Sequence, residues 1–168
     1  MNPRTLNENY ALSIMRSLII LMVLSLFILD LNAYGASVSP KKSDSDRRKE
    51  ANVYFEQGKQ LQDMGKYKEA AQKYERAIKA DRKYAEAWSN LGYTLRKRGE
   101  FDRAIKAYKK AIELDPKLAE AHEYLGEAYA EIGKFDLAEK ELQILRDLGS
   151  DEADELEEFI KKMKAGNS

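Results

Sequence analysis

Apolar residues are spaced along this chain in two different ways. Leu18–Leu29 reads LIILMVLSLFIL, a nearly unbroken apolar run with Ser25 its only polar residue. From about residue 47 onward, apolar positions recur every three or four residues, which places them on one face of a helix. Trp88, Leu91 and Leu95 make one stripe; Phe101, Ala104, Ile105, Tyr108, Ala111 and Ile112 make the next. Gly99 stands between them, where a helix must end on a positive φ that glycine adopts at little cost. Asp115-Pro116 ends the second stripe, because the residue before proline disfavours the helical region. The predicted unit is a helical hairpin whose small residues, Gly92 and Ala104, let its two helices approach closely.

The hairpin recurs. Gly58, Gly92 and Gly126 are 34 residues apart, as are Gly65, Gly99 and Gly133. Tyr67, Phe101 and Phe135 keep the same interval, and so do Ala70, Ala104 and Ala138. One hairpin cannot bury both its faces, and about three stacked copies are the minimum for a stable array. A further helix over 151–164 carries Ala153, Leu156, Ile160 and Met163 on one stripe and covers the last copy. Its acidic first turn and basic last turn suit the helix dipole.

The N-terminal apolar run predicts export. Twelve helical residues span about 18 Å, short of the roughly 30 Å of a bilayer core. Arg16 precedes the run and the small residues Ala33, Gly35 and Ala36 follow it, as in a secretory signal. Residues 1–35 are expected to be a signal peptide cleaved after Gly35 or Ala36, with Met15 an alternative start. The expected location is periplasmic or secreted; an uncleaved signal anchored in the inner membrane is the alternative. Residues 36–46 are a polar linker, and Asp44, Ser45 or Asp46 can cap a helix opening around Arg47.

Composition narrows the chemistry. Hydrophobic residues are 43% and charged residues 35% of the chain, rich in Ala, Glu, Lys, Leu and Arg as helical proteins are. The absence of cysteine excludes disulfides, zinc–thiolate sites and thiol catalysis. The 29 basic and 29 acidic residues leave no basic excess to neutralise phosphates, so a nucleic-acid partner is not expected. His122, the only histidine, has no ligand-spaced companions and occupies the repeat position of Trp88 and Tyr54, which points to packing. No glycine-rich phosphate loop is present. Neither enzymatic activity nor a cofactor nor a metal is expected.

The 34-residue hairpin resembles the tetratricopeptide repeat (TPR). The second copy, AEAWSNLGYTLRKRGEFDRAIKAYKKAIELDPKL, carries the family pattern at Trp88, Leu91, Gly92, Ala104, Tyr108, Ala111 and Pro116. The third keeps Leu125, Gly126, Tyr129, Gly133 and Ala138 but has His122 for Trp, Leu142 for the aromatic and Ser150 for Pro. The first keeps Tyr54, Gly58, Ala70, Tyr74 and Ala77, with Gln57 for Leu and Arg82 for Pro. The resemblance implies an all-α, right-handed helical-hairpin solenoid over 47–168, with repeats 51–84, 85–118 and 119–152 and a capping helix over 151–164. It also implies a protein-interaction module, an adaptor or assembly scaffold, that holds a partner peptide in a concave groove lined by the first helix of each repeat. Carried over by position, the groove residues are Phe55, Lys59 and Gln62; Ser89, Asn90, Tyr93, Arg96 and Lys97; and Glu120, Glu123, Glu127 and Glu131.

The four glutamates share one helix face. Like charges at this spacing cost a helix a few tenths of a kcal/mol. They are either a solvated face or the recognition stripe for a basic segment, with Tyr93, Arg96, Lys97 and Arg98 making the middle of the groove basic and aromatic. The family's carboxylate clamp, which holds chaperone C-termini, is not reproduced. Phe55 and Lys59 replace its first-repeat lysine and asparagine, Asn90 fits, and Glu120 and Tyr124 occupy its third-repeat basic places. Alternatives to peptide binding are self-assembly of the solenoids into a homo-oligomer and a membrane-tethered module held only by the N-terminal segment.

Overall fold

The computed structural model describes residues 12–22 and 42–166, and the chain divides into two compact units, 1–42 and 43–168. In the first unit α1, residues 12–22, is helical and its apolar side chains are exposed. The rest of the apolar run, the expected cleavage site and most of the linker lie outside the described residues. No helix among the described residues is long and apolar enough to cross a membrane.

The second unit is a row of helices in chain order: α2 (Asp44–Asp63), α3 (Tyr67–Ala80), α4 (Ala85–Lys97), α5 (Phe101–Leu114), α6 (Ala119–Glu131), α7 (Phe135–Leu148) and α8 (Glu152–Gly166). Helix α2 opens three residues earlier than expected. Its N-cap is Ser43, whose hydroxyl accepts the Asp46 N–H at 3.1 Å and satisfies a donor that the first turn leaves free.

The hairpins α2/α3, α4/α5 and α6/α7 share one turn. Gly65, Gly99 and Gly133 have φ of 70°, 76° and 73°. The residue after each glycine donates its N–H five residues back: Lys66 to Leu61 at 2.8 Å, Glu100 to Leu95 at 2.9 Å and Lys134 to Tyr129 at 2.8 Å. This is the six-to-one bond of a Schellman motif, and it closes the open carbonyls of the first helix of each pair.

The turns between repeats obey a different rule. Asp81 accepts the Lys83 N–H at 2.9 Å, and Asp115 accepts the Lys117 N–H at 3.0 Å. The aspartate side chain makes the turn itself, so Arg82 can stand where the next copy has Pro116. The third copy lacks this aspartate. Helix α7 ends instead on Gly149 at φ 67°, with Ser150 N–H donating to the Leu145 carbonyl at 3.1 Å.

The core runs the length of the stack. Ala70, Ala104 and Ala138 are fully buried, as are Tyr74 and Tyr108. A side chain at Gly58 or Gly92 would meet the Tyr74 or Tyr108 ring at 2.6 Å, which is why both positions are glycine. The third copy departs from this pattern. Leu142 replaces the tyrosine, and Gly126 faces Leu156 of α8, 2.5 Å from where a Cβ would stand. Helix α8 packs on both α6 and α7. Buried Ala153 lies 34 residues after Ala119, in series with Ala51 and Ala85, so α8 takes the place of a fourth first-helix rather than that of a bare lid.

Candidate functional site

The first helices α2, α4 and α6 supply the expected groove residues, and the structure sorts these into three kinds. Lys59 and Lys97 are exposed, while Phe55, Gln62, Tyr93, Glu120, Glu127 and Glu131 are part-buried. Ser89 is wholly buried, and Asn90, Arg96 and Glu123 retain at most 8% of their surface.

Two corrections follow from burial. Ser89 cannot touch a partner, because α4 turns it into the packed interior. Asn90 is spent internally: its amide donates to the Glu86 carbonyl at 3.0 Å and its oxygen accepts from the Tyr74 hydroxyl at 3.3 Å.

Arg96 overturns the idea of a basic middle facing an acidic end. Its guanidinium reaches from α4 to α6, donates to Glu131 at 2.7 Å and pairs with Glu127. It also lies near the Tyr93 and Tyr124 rings, 5.5 and 5.9 Å from their centroids. Its side chain is 3% exposed, so a charge there needs these carboxylates to offset lost hydration. The stripe on α6 is therefore half neutralised from inside the molecule. Arg98 is likewise engaged by Glu100 at 2.6 Å.

An aromatic row crosses the repeats on this side. Tyr67 meets Tyr93 at 6.3 Å between centroids, Tyr93 meets Tyr124 at 5.2 Å, and the Lys97 ammonium lies 5.2 Å from the Tyr93 ring. Phe55 packs on Tyr84 at 4.9 Å and on Tyr74 at 5.7 Å, with Lys59 6.0 Å above it. In the sequence Tyr124 is marked only as a replaced clamp position; its place in the row depends on Tyr93 of the neighbouring repeat.

Glu123 is different again. Burial first, then the charges of Glu127, Glu155, Glu152 and Glu120, push its carboxyl up to about 8. It lines a depression of about 600 Å³ between α6 and α8 with Glu127, Glu155, Glu158, Phe159, Lys161 and Lys162. The α8 members are not legible in a sequence pattern that makes that helix a cover for the last copy. The signal that finds them is Ala153, which keeps the repeat's register.

His122 is buried, with Nδ1 2.7 Å from the Glu141 carboxylate and Nε2 3.1 Å from the Pro116 carbonyl. Trp88 makes the equivalent bond at the same repeat position, its indole N–H donating to the Arg82 carbonyl at 3.2 Å. Each ring ties the start of its helix to the carbonyl six residues earlier.

Charge is divided along the stack. Residues 47–118 hold 19 basic and 11 acidic residues, whereas residues 119–168 hold six basic and 14 acidic.

The family model for the TPR repeat matches residues 51–95 and 92–133. No curated protein sequence matches the chain significantly. Solved structures do. The first TPR domain of Spaghetti (RPAP3), bound to the HSP90 peptide SRMEEVD, is 23% identical with a TM-score of 0.63, covering 70% of this chain and 95% of that one. The TPR2B domain of yeast Sti1 in complex with pHsp70 is 24% identical with a TM-score of 0.64, covering 71% and 98%. The Arabidopsis OM64 TPR domain is 20% identical with a TM-score of 0.63, covering 69% and 98%.

Proposed function

Across residues 51–133 this chain belongs to the tetratricopeptide-repeat family, and from that premise we propose that it is an exported adaptor or assembly scaffold that binds a peptide segment of another protein along α2, α4 and α6. The observation that carries this reading is the row Tyr67–Tyr93–Tyr124, flanked by exposed Lys97, with exposed Lys59 over the Phe55 ring of the same set of first helices. Part-exposed aromatics on a rigid scaffold give contact area at small entropic cost. Similar folds that hold chaperone peptides support the use of this architecture for peptides.

The ligand differs in kind from those peptides. An acidic C-terminus such as SRMEEVD would face Phe55, Glu120 and Tyr124 in place of the clamp's cations. No measurable binding of SRMEEVD is expected, and micromolar affinity in a fluorescence-anisotropy titration would overturn this view of the groove.

Export rests on the apolar run at 18–29 and the small residues after it. Expression in a bacterial host, followed by fractionation and N-terminal sequencing, tests it. A soluble envelope protein beginning near Ala36, with a partner that a Tyr93→Ala/Lys97→Glu variant fails to retain, is the expected result. An intact N-terminus in the membrane fraction favours the tethered form.

The charge division also favours a second reading, end-to-end self-association. A mass that rises with concentration and falls with added salt supports it; a strict monomer at high concentration and low salt rules it out.

A further inference from the structure

We propose that the depression between α6 and α8 seats a single arginine side chain of the bound segment, with Glu123 at its floor, Glu155 and Glu158 along its α8 side and Phe159 as its apolar wall. The inference rests on the peptide-binding reading and names the chemistry of one anchor within it.

Glu123 is the reason to look here. It is 8% exposed, yet no hydrogen bond or ion pair engages its carboxylate among the described residues, and it opens onto the cavity. Burying a carboxylate without a partner is costly, and the neighbouring carboxylates add repulsion. In the free protein Glu123 escapes both penalties by keeping its proton, and a cation seated beside it would let it ionise and pair.

The other walls define which cation. Glu127 is already taken by Arg96 from behind. Lys161 is held by Glu157 at 2.8 Å, which leaves Lys162 as the opposing charge at the rim. Glu155 and Glu158 are exposed, three residues apart on one face of α8, and line the same depression as Glu123. Among the described residues, no group of three carboxylates is placed to hold a metal ion. A volume of about 600 Å³ also exceeds what an ion needs. Phe159 in the lining supplies an aromatic neighbour for a flat, weakly hydrated cation, and spread carboxylates suit a forked donor better than a point charge.

Two titrations of the isotope-labelled full chain decide the matter, one with N-acetyl-arginine amide and one with its neutral citrulline counterpart. The expected result is saturable movement of the Glu123 and Phe159 resonances by the arginine probe, with citrulline at least tenfold weaker. Glu123→Gln and Glu158→Gln should each weaken the arginine probe threefold or more while the helical circular dichroism is kept. Equal response to citrulline, no saturable movement at these residues, or unchanged affinity in both variants overturns the proposal. If Glu123→Gln fails to fold, exposed Glu158→Gln decides alone.

A random peptide library selected on the same chain separates this proposal from its premise. Binders with no arginine enrichment keep the groove and remove the pocket. No binder at all removes the groove reading, and with it any anchor of a bound segment.

Discussion

Arg96 shows how one side chain can change sides in an account of function. By position it is a groove cation; in the fold it is a buried counter-ion to Glu127 and Glu131. Removing one member of a buried pair strands the other, at a cost of about 3–5 kcal/mol. Arg96→Met should destabilise by about that amount in urea unfolding, and adding Glu127→Gln should recover part of it. Charge reversal at Glu127 is for the same reason a poor test of partner binding.

Glu123 and His122 give the molecule a pH dependence with one sign. Glu123 keeps its proton up to about 8, whereas the unfolded chain releases it near 4.5. Its contribution is complete below about 4.5 and is lost as pH rises through about 8. His122 is raised above 6.5, chiefly by its hydrogen bond to Glu141, so its contribution is likewise lost as pH rises. Burial raises Glu120 and Glu127 in the same direction. Thermal midpoints should therefore fall from pH 5 to pH 8.5, and Glu123→Gln should flatten the fall. A midpoint that rises over this window would refute the buried, proton-holding state of Glu123.

Among the elements, the informative pair is α6 and α8. Glycines at equivalent repeat positions do different work: Gly58 and Gly92 admit a tyrosine of their own hairpin, while Gly126 admits Leu156 of the terminal helix. Gly126→Leu should thus separate α8 from α6, and overpacking of this kind costs about 1–3 kcal/mol. Gly126→Ala combined with Leu156→Ala should cost less than the sum of the two single changes, a non-additivity that a double-mutant cycle reads directly. Deleting residues 152–168 uncovers the α6 and α7 faces that Ala153, Leu156 and Ile160 bury. Loss of cooperative melting and a tendency to aggregate are expected, because a stack needs a polar outer end.

At the scale of the whole molecule, a net charge of zero conceals an electrical polarity along the solenoid. Residues 47–118 carry the basic excess and residues 119–168 the acidic one, so a partner with the opposite arrangement would be oriented as it approaches. Association rates with such a partner should drop severalfold between about 0.05 and 0.5 M salt, where the screening length shrinks from beyond 10 Å to a few ångströms. A rate indifferent to salt would leave the polarity without a role in encounter.

The sequence by itself determined the hairpin, its period and its number of copies, because these depend on local rules. A glycine that takes a positive φ, an apolar residue every third or fourth place, and an alanine where two helices cross are each legible one residue at a time. It also determined that Lys59, Lys97, Tyr93 and the α6 glutamates come from first helices. Only the tertiary structure decided which of these stay accessible. Ser89 and Arg96 turned inward, Glu127 and Glu131 were claimed by Arg96, and α8 brought Glu155, Glu158 and Phe159 beside Glu123. Those outcomes depend on distances between residues some 30 apart in the chain, and a polar residue's spacing along its own helix does not say what the next helix sets against it.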